Sequence, residues 1–128
     1  AVAGIITGKV MESCPKLRLA FSHGGGNFMQ LLPRMENSWR KVQSLHEHLP
    51  KPPSAYAGMF FYDDIFFDNR TLRYLLDTVG SSQVMIASDY PFMFRDQTPE
   101  QEFDILGLTP EEREMIGSGN CLRFLGLG

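Results

Sequence analysis

Leu17-Arg18-Leu19-Ala20-Phe21-Ser22-His23-Gly24-Gly25-Gly26 is the stretch from which the rest of the chain is read. A short, mostly apolar run ends in a polar Ser-His step and three glycines. That is the pattern of a strand covered on both faces and released into a flexible turn. Beyond it, Phe28, Leu31, Leu32, Met35, Trp39, Val42 and Leu45 recur at the 3.6-residue period. They predict one long helix over 28–47, with Pro33 an awkward member of its early turns. Pro50 to Pro53 reads as a stiff connector. Ala57 to Tyr62 is a second apolar run, ending in Asp63-Asp64. A helix follows over 69–79, with Leu72, Leu75, Leu76 and Val79 inward and Gly80 as its stop. Gln83 to Ser88 is the third run, ending in Asp89-Tyr90-Pro91.

Upstream, Val2, Ile5, Ile6, Val10 and Met11 predict a helix over 1–12, ended by Cys14-Pro15. Downstream, Thr109-Pro110-Glu111-Glu112 is a helix start with an N-cap threonine and proline at the first helical position. Residues 120–125 form a last short helix. The expectation is an α/β fold: parallel βαβαβ with flanking helices and strands at 17–22, 57–62 and 83–88, joined by right-handed crossovers. Three such strands alone leave two sheet edges unpaired.

The 128 residues suffice for a single domain with a core of its own. A hydrophobic fraction of 43% with 21% charged residues excludes a disordered chain. A net charge of −3 and a pI near 5.5 argue against a nucleic-acid partner. No apolar run reaches the length of a membrane span, and the opening residues lack the basic start of a signal peptide. Cys14 and Cys121 lie far apart, so a reducing, cytoplasmic setting is expected.

His23, Asp63 or Asp64, and Asp89 each fall just past the carboxyl end of a predicted strand, the edge where parallel α/β folds bind ligands. His23 and Asp89 are metal-ligating and proton-exchanging residue types, expected to face one cavity with Asp63. Each also has a plainer reading: a turn histidine, an Asx turn before Pro91, a turn pair at the end of the second strand. Gly24 to Gly26 is neither a P-loop nor a dinucleotide fingerprint. His46 and His48 lie two residues apart on a helix, point about 200° apart and cannot chelate together. Arg34 and Arg40 read as surface charges. Phe60, Phe61, Phe66 and Phe67 read as core and interface, and Met29, Met35, Met85 and Met93 as packing fillers.

The string from His23 to Phe28, with Arg34 six residues on, resembles the H-G-G-G-x-F-x-x-x-x-x-R stretch of the amidohydrolase-2 family. Ala87-Ser88-Asp89-Tyr90-Pro91-Phe92 is similar to its D-Y-P-F motif, and Gly119-Asn120-Cys121-Leu122-Arg123-Phe124-Leu125-Gly126 to its closing segment. One departure is Met29, where proline is common. The likeness runs from Leu17 to Gly126 and looks closest to the semialdehyde-decarboxylase branch.

The resemblance implies the last three units of a (β/α)8 barrel, so residues 1–128 are expected to be a single partial domain, the C-terminal portion. It implies a metal-dependent decarboxylase, or a hydrolase, acting on a small carboxylated substrate. Asp89 would be the one family metal ligand present, for a divalent ion such as zinc. The family's H-x-H pair and fifth-strand histidine are not in this sequence, so the isolated chain is expected to hold metal weakly or not at all. His23 would be the catalytic histidine that activates bound water or handles the proton. Arg34 would match an arginine that reaches into a neighbouring subunit's site to hold the substrate carboxylate. The partner is then a second copy of the chain, or the missing N-terminal portion. The competing expectation is an inactive, self-associating fragment.

Overall fold

Three parallel strands form, in the order β1-β2-β3. The computed structural model describes residues 1–92 and 94–127. The strands are Ala20–Phe21 (β1), Phe61–Asp63 (β2) and Val84–Met85 (β3). Ala20 pairs with Phe61, and Tyr62 with Val84. Each is shorter than its apolar run. The ladder gains one further bond, from Phe61 N–H to the Leu19 carbonyl at 2.9 Å. Past β3, Ile86 N–H turns to the Ile116 carbonyl at 3.0 Å, so the tail covers part of an edge expected to be open.

The helices are α1 (Val2–Thr7), α2 (Val10–Ser13), α3 (Phe28–Lys41), α4 (Gln43–His48), α5 (Pro53–Ala57), α6 (Asn69–Val79), α7 (Pro99–Ile105), α8 (Pro110–Glu114) and α9 (Asn120–Leu125). The predicted N-terminal helix breaks in two where Lys9 takes a left-handed φ of 57° after Gly8. The long helix predicted over 28–47 breaks at Val42, whose backbone is extended. Pro33 lies inside α3 because its missing N–H is compensated. The Met29 carbonyl, which Pro33 would have served, accepts from the Tyr74 hydroxyl of α6 at 3.0 Å.

The second strand begins four residues later than its apolar run. Pro53 sits at the first helical position of α5, and the chain stays helical through Ala57 before turning at Gly58. Helix α6 spans the residues predicted, with Asp68 as N-cap accepting from Thr71 N–H at 2.9 Å. That contact, led by the Thr71 hydroxyl, holds the Asp68 carboxyl below its ordinary pKa. Helices α7 and α8 both open on capping boxes, Thr98 with Gln101 and Thr109 with Glu112. The core gathers Ile6, Phe28, Leu32, Phe60, Tyr62, Leu75, Val84 and Ile116. Each such side chain is worth roughly 1.5–3 kcal/mol when fully withdrawn from water. Met29 is buried among them. Met93 lies outside the described residues.

Candidate functional site

The carboxyl ends of the strands are held together by two adjacent aspartates at the end of β2. Asp63 Oδ1 accepts from Gly24 N–H at 2.9 Å, tying β2 to the loop after β1. Asp64 Oδ1 accepts from Ala87 N–H at 2.8 Å, tying β2 to the loop after β3. These carboxylates serve main-chain amides of the neighbouring loops, so the pair acts across the sheet edge and not only within its own turn.

Among the described residues, three of the four non-glycine positions with positive φ follow the three strands: His23 at 52°, Phe67 at 56° and Asp89 at 59°. A left-handed backbone disfavours side chains with a Cβ, and such strain concentrates where function requires it. His23 is exposed in a single 3-10 turn, His23–Gly25. A Cβ on the next residue, Gly24, would fall 1.8 Å from the Phe66 ring, so that position accepts only glycine without rearrangement. Asp89 is half-buried, and its carbonyl accepts from Phe92 N–H at 2.8 Å.

His23 and Asp89 lie in the loops that follow the sheet's two outer strands, β1 and β3, and β2 runs between those strands. A cavity of about 400 Å³ lies between the loops after β2 and β3, lined by Phe67, Asn69, Arg95 and Gln97 among others. A second of about 300 Å³ lies beside Phe21, Ser22 and Asn27. Neither His23 nor Asp89 lines either one. Arg34 is exposed on α3, about 9 Å along the helix axis from Phe28. It borders an apolar hollow with Thr7, Trp39 and Leu49, on a different part of the chain from His23 and Asp89. His46 packs its ring against Trp39 at 3.8 Å, and a nitrogen of His48 lies 2.7 Å from the Thr7 carbonyl.

Sequence reasoning missed the polar cluster beneath Asp89. Arg95 Nη2 meets Asp64 Oδ2 at 2.6 Å and Glu102 Oε2 at 2.7 Å, and its Nη1 donates to the Ala87 carbonyl at 2.8 Å. Burial raises the Asp64 carboxyl above its ordinary pKa, against the pull of Arg95. Burial also raises Glu102, with Arg95 opposing and Asp64 adding to the shift. The one local signal was Glu102 in the first turn of a capped helix beside Phe103. Its partner Arg95 lies 7 positions away, and Asp64, which shares that arginine, lies 38 away.

Among the described residues, no group of three or more His, Cys, Asp or Glu side chains is placed to hold a metal ion. Asp89 and His23 alone do not fit a catalytic metal site, which takes about three protein ligands. No helix among the described residues is long and apolar enough to cross a membrane.

Residues 5–127 match the profile of the family described as Amidohydrolase. A curated relative, the 2-amino-3-carboxymuconate-6-semialdehyde decarboxylase of Dictyostelium discoideum, is 32% identical over 129 residues, covering 99% of this chain and 36% of its own length. The crystal structure of 5-carboxyvanillate decarboxylase from Sphingomonas paucimobilis superposes with a TM-score of 0.80 at 22% identity, over 99% of this chain and 38% of that one. A dihydroxybenzoic acid decarboxylase from Polaromonas, solved with bound manganese and an inhibitor, superposes at 0.78 and 18% identity, over 98% of this chain and 39% of that one. The chain thus spans between a third and two fifths of the length of these proteins.

Proposed function

Because the chain belongs to the amidohydrolase family, we propose that it is the C-terminal part of a metal-dependent decarboxylase acting on a small carboxylated substrate. The observation that carries the reading is the left-handed placement of both His23 and Asp89 at the carboxyl edge of one parallel sheet. The decarboxylases among its relatives support the reaction class, and the manganese in one of them supports a divalent ion.

Loss of carbon dioxide leaves an electron pair on the substrate carbon, and a proton must reach it. An imidazole is the side chain best suited to deliver that proton near neutral pH, and His23 stands exposed at the sheet edge to do so. Asp89 occupies the family's metal-ligand position, as one ligand of a site completed from outside this chain. Arg34 is a substrate-carboxylate contact offered to a neighbouring subunit. Its exposure and its distance from the sheet edge agree with a role outside its own chain's site.

The test starts with the intact mass of the native polypeptide. That polypeptide, supplied with manganese or zinc, is then assayed for carbon dioxide release from carboxylated phenols and muconate semialdehydes. Release that is lost in His23→Asn and Asp89→Asn supports the reading. Release unaffected by both, or hydrolysis of amides or esters in its place, overturns it. A second reading, that the 128 residues by themselves are catalytically inactive, rests on Asp89 being the one family metal ligand in this sequence. A tightly held stoichiometric ion on the isolated chain would overturn that second reading.

A further inference from the structure

Resting on that reading of Asp89, we propose that Arg95 is a positioning residue: with Asp64 and Glu102 it clamps Ala87 and so sets the turn that presents Asp89. Both backbone polar groups of Ala87 are taken. Its N–H donates to Asp64 at 2.8 Å and its carbonyl accepts from Arg95 at 2.8 Å. Asp64 and Arg95 join each other at 2.6 Å, closing the ring around a residue two positions before Asp89.

The clamp is anchored outside the loop it holds. Asp64 follows β2, and Glu102 belongs to α7, whose start is locked by the Thr98–Gln101 capping box. The loop's own bonds are local, from Phe92 N–H to the Asp89 carbonyl at 2.8 Å and from Tyr90 N–H to Ser88 Oγ at 3.2 Å, and Tyr90, Phe92 and Phe94 are all exposed. Asp89 nevertheless keeps a left-handed backbone that an unrestrained aspartate would leave readily. The planar guanidinium fork suits such a clamp. Two nitrogens reach one carbonyl and two carboxylates at once, which a lysine ammonium on a flexible stem does not reproduce. Two carboxylates and a guanidinium are withdrawn from water here. That desolvation is hard to justify by stability alone and is explained by a requirement for one geometry.

The test is amide hydrogen exchange by NMR on the 15N-labelled chain, in wild type, Arg95→Lys, Arg95→Met and, as a control, Tyr74→Phe. In wild type the Ala87 amide is expected to be protected. In both Arg95 variants, exchange at Ala87 should quicken roughly ten- to a hundredfold relative to Leu75 and Leu76 of α6, the size expected for losing a hydrogen bond to a charged group. Tyr74→Phe should leave that ratio unchanged. Equal acceleration everywhere overturns the proposal. Should Arg95→Met not fold, Arg95→Lys and the wild type still decide, since an unprotected Ala87 amide in wild type also overturns it.

In the carbon dioxide assay on the native polypeptide, Arg95→Lys should lower kcat at least tenfold with KM within about twofold. Unchanged turnover overturns the positioning role. Absence of turnover in wild type counts against the decarboxylase reading alone, and the exchange ratio then decides the clamp.

Discussion

Asp64 Oδ2 and Arg95 Nη2 meet at 2.6 Å, with the Asp64 side chain fully withdrawn from solvent and Arg95 nearly so. Arg95→Met would leave Asp64 and Glu102 buried without their counter-ion. A loss of about 3–5 kcal/mol in unfolding free energy is expected near neutral pH. Both carboxyls have a raised pKa in the folded chain. The stability tied to each is therefore present below the ordinary carboxylate pKa and is lost as pH rises through the folded value. Removing Arg95 strengthens that trend, so the difference from wild type should shrink as pH falls toward about 4.5. Asp68 and Glu112, whose pKa values are lowered, act in the opposite sense, but they are common to both proteins and cancel. Urea unfolding of the two proteins at both pH values measures the difference.

Gly24 and Gly26 separate two causes of glycine dependence. Both have positive φ, but a Cβ at Gly24 runs into the Phe66 ring while one at Gly26 meets open space. Gly26→Ala should cost about 1–3 kcal/mol from the backbone alone, since φ 65° with ψ −134° lies outside the left-handed helical well. Gly24→Ala should cost at least about 1 kcal/mol more, from overpacking. Chemical denaturation of the two single variants gives the comparison, and equal losses would show that Phe66 yields freely.

Tyr74→Phe removes the hydroxyl that reaches the carbonyl Pro33 leaves unserved. The expected loss is about 0.5–1.5 kcal/mol. In a Pro33→Ala background the restored N–H can serve Met29, so the same change should cost less there. A double-mutant cycle reads the coupling, and a cycle without coupling would refute the compensation.

Asn120 is buried and donates to the carbonyls of Ser81 at 2.8 Å and Val84 at 2.7 Å, fastening α9 to the start of β3. Asn120→Leu should cost about 1–3 kcal/mol, because the Val84 carbonyl loses a buried donor, while the Ser81 carbonyl keeps the Val84 N–H. Asn120→Asp should cost more, since a carboxylate offers those carbonyls no hydrogen. Thermal unfolding of both variants ranks them.

Self-association is expected at micromolar concentration, because Tyr90 is 86% exposed and Phe92 and Phe94 stack in the open beside it. Sedimentation equilibrium tests this. A clean 14.5 kDa monomer would show that the apolar loop needs no cover.

Local signals carried far along this chain. Period placed α6, whose Leu72, Leu75 and Leu76 face inward, and the Thr109 cap with Pro110 placed the start of α8. The parallel order of three strands followed from their alternation with helices. Propensity was a poorer guide where a single backbone angle overrides it. Lys9 and Val42 each redirect the chain inside a run whose apolar spacing is uninterrupted, and Pro53 starts a helix that carries into the second run.

His23 and Asp89 were legible as candidates because a strand end is marked in the sequence by where an apolar run stops. Whether they face one cavity is a matter of how the strands sit side by side, and β2 lies between them. The two aspartates ending β2 looked interchangeable as letters. Tertiary structure gave Asp63 to Gly24 and Asp64 to Ala87 and Arg95, because hydrogen bonds are assigned by direction and distance across the sheet edge. Sequence by itself determined the family, the three apolar runs that hold the strands, α6 and the residues at the strand ends, while it missed α7 and the breaks at Lys9 and Val42. Only the tertiary structure decided which polar groups are buried together, since residues 64, 87, 95 and 102 meet through packing that no local pattern encodes.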